Sequence, residues 1–259
     1  MWPRAPFHGT ARPSGPRWAT GRRAVAALLV ALHAHAPAAW AAQQRQNVWA
    51  AFSAEAPITG PLHGQYETQL RFSAERGLFR AQHRFALGYR AAPPLMLWIA
   101  GQLAHDLENE RADRAERRIM GQLDYVLATP PGRRFVARTR LERRSIADSP
   151  EIGWRLRQRL AMDVALPRPG TAVVFHTEPM VALNDTVWGQ ASGFDRVRAY
   201  AGASLPVGTL AVCSASVMPG TDCRARIRLD AGYLNEWPPR AGREDLVDHV
   251  LVVSLAIRP

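Results

Sequence analysis

The sequence predicts an all-β fold, namely an antiparallel up-and-down transmembrane β-barrel of roughly 10–12 strands. Three observations support this prediction. Arginines recur at every second position, the segments that carry them are longer than ordinary strands, and aromatic residues gather near the segment ends. A soluble sandwich could also bury the apolar face of such strands, so a soluble periplasmic β-protein is the alternative.

The N-terminus has the features of a secretory signal peptide. Arg22 and Arg23 precede a short apolar run, and a small-residue cleavage pattern ends at Ala41. The apolar run is far shorter than the ~20 residues that a membrane-spanning helix needs. We therefore expect residues 1–41 to be a signal peptide and leader and residues 42–259 to be a single β-barrel domain.

The positive charge of the chain comes entirely from arginine. Of 33 arginines the predicted leader holds five and no acid, so the rest of the chain carries 28 arginines against 22 acidic residues. These arginines alternate along strands and are interleaved with Glu67, Asp124 and Glu142. This spacing differs from a phosphate-tracking patch, and we expect no nucleic-acid partner.

Eleven segments of roughly ten to fourteen residues are candidate strands, separated by turn-forming residues. Because single-chain bacterial barrels have an even number of strands, we expect either that the first segment lies outside the barrel or that residues 206–222 add a strand. The eighth segment contains Pro179, which cannot donate a ladder hydrogen bond. In order, the segments are 47–55, 64–73, 78–90, 94–105, 114–127, 133–146, 151–164, 171–185, 194–205, 223–236 and 246–258.

Charged residues on these strands share one face, because successive side chains point to opposite sides of a sheet. In a membrane barrel this face lines the lumen, and its arginines and acids must pair there. The predicted polar network of the lumen is, strand by strand, Glu67 and Arg71; Arg80 and Arg84; Glu116, Arg118 and Asp124; Arg138, Arg140 and Glu142; Arg155, Arg157 and Arg159; Arg198; and Arg226, Arg228 and Asp230.

Connections and aromatic residues suggest an orientation. Proline-rich turns near residues 93, 130 and 168 contrast with longer polar loops at 106–113 and 238–245, as periplasmic turns contrast with external loops. Aromatic residues then form two levels that resemble interfacial girdles, and all except Trp237 fall on the apolar face. Tyr66, Tyr89, Tyr125 and Phe135 lie at the turn ends, whereas Trp154, Tyr233 and Trp237 lie at the loop ends.

The two cysteines predict a local disulfide. Cys213 and Cys223 flank a Pro219-Gly220 turn signal, and an exported chain favours their oxidation across a hairpin. The histidines that follow the leader show no paired ligand spacing, so we expect no metal site and no cofactor.

Short motifs along the chain resemble those of a bacterial family. They are Trp49, Leu87-Gly88-Tyr89, Leu97-Trp98, Arg138-Thr-Arg140-Leu-Glu142, Asn184-Asp185, Phe194-Asp195-Arg196-Val-Arg198, Gly232-Tyr233-Leu234-Asn235 and His249-Val250-Leu251. Together they resemble domain-of-unknown-function family 2490, whose members are predicted outer-membrane barrels. Asp185 stands where a glutamate is more usual. The resemblance implies no known activity, ligand or catalytic residue.

The sequence thus predicts an outer-membrane protein of unknown activity, whose partners are outer-membrane lipid and the barrel-insertion machinery. Arginine outnumbers acid on the inferred lumenal face, which favours a narrow pore or pocket that prefers a small anion. A lipid-modifying enzyme would need a nucleophile and a base in reach of each other. His249, Ser254, Asp248 and His176 have suitable chemistry, but no Gly-x-Ser-x-Gly elbow or compact spacing supports catalysis.

Overall fold

The computed structural model describes residues 43–107, 114–211, 224–238 and 246–259. Within them eleven strands form a closed β-barrel in which every strand pairs with its neighbour in sequence, so the predicted all-β barrel is confirmed. These described residues contain no helix long and apolar enough to cross a membrane. The strands are β1 (Gln43–Thr59), β2 (Leu62–Ser73), β3 (Gly77–Ala92), β4 (Leu95–Asp106), β5 (Arg114–Ala128), β6 (Arg133–Ile146), β7 (Ile152–Ala165), β8 (Ala172–Ala182), β9 (Gly193–Ala211), β10 (Arg224–Trp237) and β11 (Leu246–Arg258).

The barrel closes through a parallel pair, β1 with β11, in a register that runs from Gln43 opposite Leu246 to Ala54 opposite Ile257. An up-and-down chain with an odd number of strands begins and ends in the same direction, so its closing pair must be parallel. The expectation of ten or twelve strands was therefore wrong. The first segment belongs to the barrel, and residues 206–211 extend β9 instead of adding a strand.

Alternation along each strand separates an interior face from an outer face. On β3, for example, Arg84 is 3% exposed whereas the adjacent Phe85 is 62% exposed. Two polar side chains that break the outer pattern find partners there. His83 accepts or donates a hydrogen bond with the Tyr66 hydroxyl at 3.0 Å, and Gln158 accepts one from Thr139 at 2.6 Å.

The two ends of the barrel differ in their connections. We call turn end the one with the connections 60–61, 93–94, 129–132, 166–171 and 212–223, and loop end the one with 74–76, 107–113, 147–151, 183–192 and 238–245. Gly132 adopts a left-handed φ of 69°, which the tight turn between β5 and β6 requires. The predicted segregation of short and long connections is only partly right, because the longest one, 212–223, lies at the turn end.

The aromatic prediction also needs one correction. Trp237 lies opposite Val197 in the ladder, and the centroid of its ring is 6.0 Å from that of Phe194 on the outer face. The register is regular from Arg228 to Trp237, so Trp237 shares the face of the exposed Tyr233 and was wrongly excluded from the apolar side.

Pro179 interrupts the hydrogen-bond ladder between β7 and β8. The β7–β8 ladder pairs Arg157 with Met180 and resumes at Leu160 with Thr177, so Arg159 has no partner across it. Proline lacks the backbone N–H that such a pair needs. Pro179 still lies opposite Val197 in the β8–β9 ladder, which keeps β8 within the barrel.

Candidate functional site: the polar interior of the barrel

The strand registers place the residues predicted for the polar network on the inward-facing side of their strands, although Arg226, near the start of β10, is itself exposed beside the buried Ala225. The register places Arg138 opposite Asp124, Glu67 opposite Arg84 and Glu142 opposite Arg155. Contacts between the side chains divide this interior into two parts of different character.

The half near the loop end is packed with ion pairs. Glu142, which is fully buried, accepts hydrogen bonds from Arg155 Nε at 3.0 Å and Nη2 at 2.6 Å, and from Arg157 Nη1 at 2.8 Å. Glu116 forms a second centre, which Arg118 approaches through two nitrogens at 2.9 and 2.6 Å. Two-pronged contacts of this kind are the strongest ion pairs that proteins make.

Further pairs extend the Glu142 centre across the interior, beside the separate Glu116 centre. Arg157 also reaches Glu178 at 2.6 Å, and Arg155 reaches Asp195 at 3.1 Å. Glu236 binds both Arg196, at 2.9 Å, and Arg198. We call this set the ion-pair layer; its members are Arg80, Glu116, Arg118, Glu142, Arg144, Arg155, Arg157, Glu178, Asp195, Arg196, Arg198 and Glu236.

Several members of the layer were missed from the sequence. Glu178 precedes Pro179, whose presence obscured the alternation of the eighth segment. Asp195 lies at a β-bulge, where the register skips from Arg196 to Phe194, so strict alternation places it on the wrong face. Glu236 could have been found, because it has the same parity as the predicted Arg228 and Asp230.

The half near the turn end is more accessible to solvent. Glu67 pairs with Arg84 at 2.8 Å but keeps 40% of its side chain exposed, and Asp124, which binds Arg138 at 2.6 Å, keeps 20%. Near the mouth of this half the inward-facing Arg258 is exposed, and Arg159 and Ser254 are only partly buried. The interior therefore has accessible space at this end of the described barrel.

Arginines exceed acids in this accessible half. Among the described residues, Arg159, Arg226, Arg228 and Arg258 have no carboxylate within ion-pair distance. Arg226 and Arg258 lie directly opposite each other, as do Arg138 and Arg159, and such like-charge pairs are unfavourable. We call this set the arginine vestibule; it comprises Arg138, Arg159, Arg226, Arg228 and Arg258 with the neighbouring His176, Tyr200 and Asp230.

Apolar and aromatic side chains fill much of the remaining interior, and they explain several of the short motifs. Trp49 packs with Leu234 and Val250, and the guanidinium of Arg71 lies 3.8 Å from the centre of its ring. Trp98 lies across Gly88, where an added Cβ would come within 2.5 Å of the ring.

Tyr200 lies in the same way across a pair of glycines. Its hydroxyl would be 2.7 Å from a Cβ at Gly232, and Gly232 lies opposite Gly202 in the ladder. The ring of Tyr200 also stacks on His176 at 4.8 Å and 16°. The glycine pair thus lets this aromatic pair lie flat against the wall of the vestibule.

The β8–β9 loop, residues 183–192, is fastened over the loop end. Asn184 accepts a hydrogen bond from the Trp154 amide at 2.8 Å and donates one to the Ile152 carbonyl at 2.9 Å. Gln190 accepts one from Arg144 at 2.9 Å. Trp188 and Gln190 both cover the interior side of Gly153, where a Cβ would lie 2.6 and 2.7 Å from them.

Asp185 braces the same loop internally. Its Oδ1 accepts a hydrogen bond from the Ser192 amide at 2.7 Å, and this backbone hydrogen bond holds the pKa of the exposed carboxyl below its usual value. The Asn184-Asp185 motif thus closes the loop on itself and ties it to β7. A glutamate at 185 would extend the same carboxylate by one methylene.

The residues considered for catalysis do not converge. His249 points outward, where it hydrogen-bonds the Tyr233 hydroxyl, whereas Ser254 and Asp248 face the interior. Asp248 is held by Arg45 at 2.8 Å and Asn47 at 3.1 Å, and His176 stacks on Tyr200. Within the described ranges no three His, Cys, Asp or Glu side chains are grouped so that they could hold a metal ion.

Two predictions concern residues outside those that the structure describes. The predicted signal peptide and leader, residues 1–41, lies there, as does the predicted disulfide between Cys213 and Cys223. Both therefore stay predictions.

Comparison with known proteins places the chain in a family. Residues 46–247 match the family described as "Protein of unknown function (DUF2490)". An uncharacterized protein of Methylorubrum extorquens is 30% identical over 177 residues, which cover 68% of this chain and 71% of that protein. No solved structure matches the chain. The chain therefore belongs to the protein family of unknown function DUF2490.

Proposed function

We propose that this protein is an outer-membrane β-barrel of a Gram-negative bacterium, inserted by the barrel-assembly machinery with its turn end toward the periplasm. The observation that supports this proposal is the outer face, where every strand exposes large apolar side chains. One from each strand, in order, is Val48, Leu62, Phe85, Ile99, Ile119, Leu141, Leu160, Phe175, Val207, Tyr233 and Leu251. Soluble monomers rarely expose an apolar patch above a few hundred Å², whereas acyl chains cover such a belt.

A soluble periplasmic β-protein is the rival, and it would need another surface to cover this belt. Cell fractionation combined with heat-modifiability on electrophoresis separates the two. We expect the mature chain to require detergent for extraction and to migrate faster unheated than boiled. Extraction by salt or carbonate without detergent would refute the membrane proposal.

For the interior we propose a one-sided cavity that accepts small anions from the turn end. The ion-pair layer and the fastened 183–192 loop obstruct the loop end, whereas the arginine vestibule offers unpaired guanidinium groups and accessible space. Guanidinium groups bind oxyanions through paired hydrogen bonds. A narrow anion-selective pore is the neighbouring alternative, and it needs the ion-pair layer to open.

Two measurements on the purified protein test this cavity. In planar bilayers we expect no steady conductance; an anion-selective current would favour the narrow pore, and a cation-selective current would refute both. At constant ionic strength sulfate should raise the thermal midpoint above that in chloride, because a ligand that binds only the folded state stabilises it. Equal midpoints in the two salts would refute the cavity.

We propose no catalytic activity. His249 lies on the outer face of the wall, opposite to Ser254, Asp248 and His176, and the carboxylate of Asp248 is already held by Arg45 and Asn47. Unchanged phospholipid and lipid A composition in cells that carry His249→Ala with Ser254→Ala would agree with this proposal, and an altered composition would contradict it.

A further inference from the structure

The unpaired arginines of the vestibule are not spread evenly. Arg159 lies within electrostatic reach of the cations Arg138 and Arg258, of the Glu178 carboxylate and of the Tyr200 hydroxyl. The cross-strand register independently places Arg138 opposite Arg159 and Arg226 opposite Arg258. Several cations from β6, β7 and β11 therefore converge on one part of the interior.

Arg159 itself lacks the partners that comparable buried arginines have. Its Nε is buried without a hydrogen-bond acceptor, as is that of Arg157, but Arg157 binds two carboxylates through its other guanidinium nitrogens, whereas Arg159 has no carboxylate within ion-pair distance in the described barrel. A buried donor without an acceptor is costly, so an acceptor supplied by a ligand would remove that cost.

The acids near this point do not neutralise it. Asp124 is already paired with Arg138, and Asp230 is bound by the Ser204 hydroxyl. Arg228 also binds Ser204, at 2.7 Å, and has no carboxylate partner in the described barrel. Glu178 also acts on Arg159 electrostatically, but its carboxylate is bound by Arg157 at 2.6 Å and lies 3.6 Å from Arg198, so within the described barrel Arg159 has no carboxylate of its own.

An aromatic surface borders the same point. His176 and Tyr200 are stacked against the wall, and Nδ1 of His176 is buried without a partner. A ligand bound at Arg159 would therefore touch an unpaired ring nitrogen and a flat ring on one side and guanidinium groups on the other.

We propose that Arg159, Arg138 and Arg258 form a binding site for a phosphate group, with His176 and Tyr200 as its aromatic wall. A phosphate carries more than one negative charge at neutral pH, and its oxygens accept paired hydrogen bonds from guanidinium groups. The aromatic wall favours a phosphomonoester with a planar substituent over inorganic phosphate. This inference rests on the anion cavity proposed above and assigns that cavity its ligand class.

Titration calorimetry of the folded protein in detergent tests the site, with inorganic phosphate, phenyl phosphate and sulfate as probes. We expect phosphate to bind, phenyl phosphate to bind more tightly, and Arg159→Gln to weaken both about tenfold or more, the scale of one lost charged hydrogen bond. Arg143→Gln is the matched control, because Arg143 lies opposite the outward-facing Trp154. It should bind like the wild type.

Two controls distinguish a failure of the phosphate site from a failure of the anion cavity. Heat-modifiability of each variant shows that the barrel is folded, and Arg258→Gln provides a second substitution nearer the mouth. If sulfate binds but Arg159→Gln and Arg258→Gln leave phosphate affinity unchanged, the site is wrong and the anion cavity survives. If no probe binds the folded protein, both are wrong. Equal affinities for phosphate and phenyl phosphate would refute the aromatic wall.

Discussion

Neutralising Glu142 tests whether the ion-pair layer holds the barrel together. This carboxylate is 0% exposed and accepts three hydrogen bonds from Arg155 and Arg157. Nη1 of Arg140 lies 3.8 Å from its Oε1. Glu142→Gln keeps the shape of the side chain but leaves these guanidinium groups without their central charge. Breaking one half of a buried ion pair costs about 3–5 kcal/mol.

Glu67→Gln is the matched control. Glu67 also pairs with a buried arginine, Arg84, but it is 40% exposed, and Arg84 keeps Gln65 as an acceptor at 2.6 Å. Because the Glu67 carboxylate is partly exposed and Arg84 keeps Gln65 and Gln122 as acceptors, we expect the loss of this pair to cost about 1 kcal/mol or less. For a domain of this size each kcal/mol shifts the thermal midpoint by about 2–4 °C. We therefore expect a fall of about 6–20 °C for Glu142→Gln and about 0–4 °C for Glu67→Gln.

The assay is the loss of the compact electrophoretic form with temperature, checked by circular dichroism. A double variant, Glu142→Gln with Arg155→Gln, removes one of the stranded cations and should recover part of the loss. The reasoning fails if the two single variants melt together, because burial would then not govern the value of these pairs.

Three further predictions follow from other parts of the barrel. Ile99→Arg, near the middle of the outer face of β4, should lower the free energy of unfolding of a membrane barrel by about 2–4 kcal/mol. Val187→Arg, in the 183–192 loop, should leave it unchanged. Equal stability of the two variants in urea titrations would contradict the membrane proposal. Gly88→Ala should destabilise by about 1–3 kcal/mol, because its Cβ would meet the Trp98 ring at 2.5 Å, and Gly101→Ala, with open space around it, should not. Asn184→Ala removes two hydrogen bonds between the 183–192 loop and β7; it should make that loop cleavable by added protease while the barrel stays intact, and resistance like that of the wild type would show that the loop is held elsewhere.

The strands could be predicted from the sequence because alternation is a local property. Arg138 and Arg140, two residues apart, define the inward face of β6 without reference to any other strand. Closure could not be predicted in this way, because Arg45 meets Asp248 across 203 residues. The even-number rule then gave the wrong count, since it excludes the parallel pair that this barrel uses.

The candidate site was predictable only in part for a related reason. Alternation predicts which face of the strand a residue lies on but not how deeply its side chain is buried. Glu142 and Glu67 therefore look equivalent in the sequence, although Glu142 is buried and Glu67 is partly exposed to solvent. The bulge at Asp195 and the gap beside Arg159 arise from irregular pairing between strands. Such irregularities depend on the partner strand, and Pro179 was the one local signal of them.

The parallel seam between β1 and β11 also has a topographic consequence. β1 starts at the loop end and β11 finishes at the turn end, so the two extremities of the barrel-forming chain emerge from opposite mouths. In a barrel with an even number of strands both would emerge on the same side. An epitope joined directly ahead of Gln43 and one appended after Pro259 would therefore lie at opposite mouths of the barrel. If the barrel is inserted in the outer membrane as proposed, antibody access to intact cells would show which mouth faces outward.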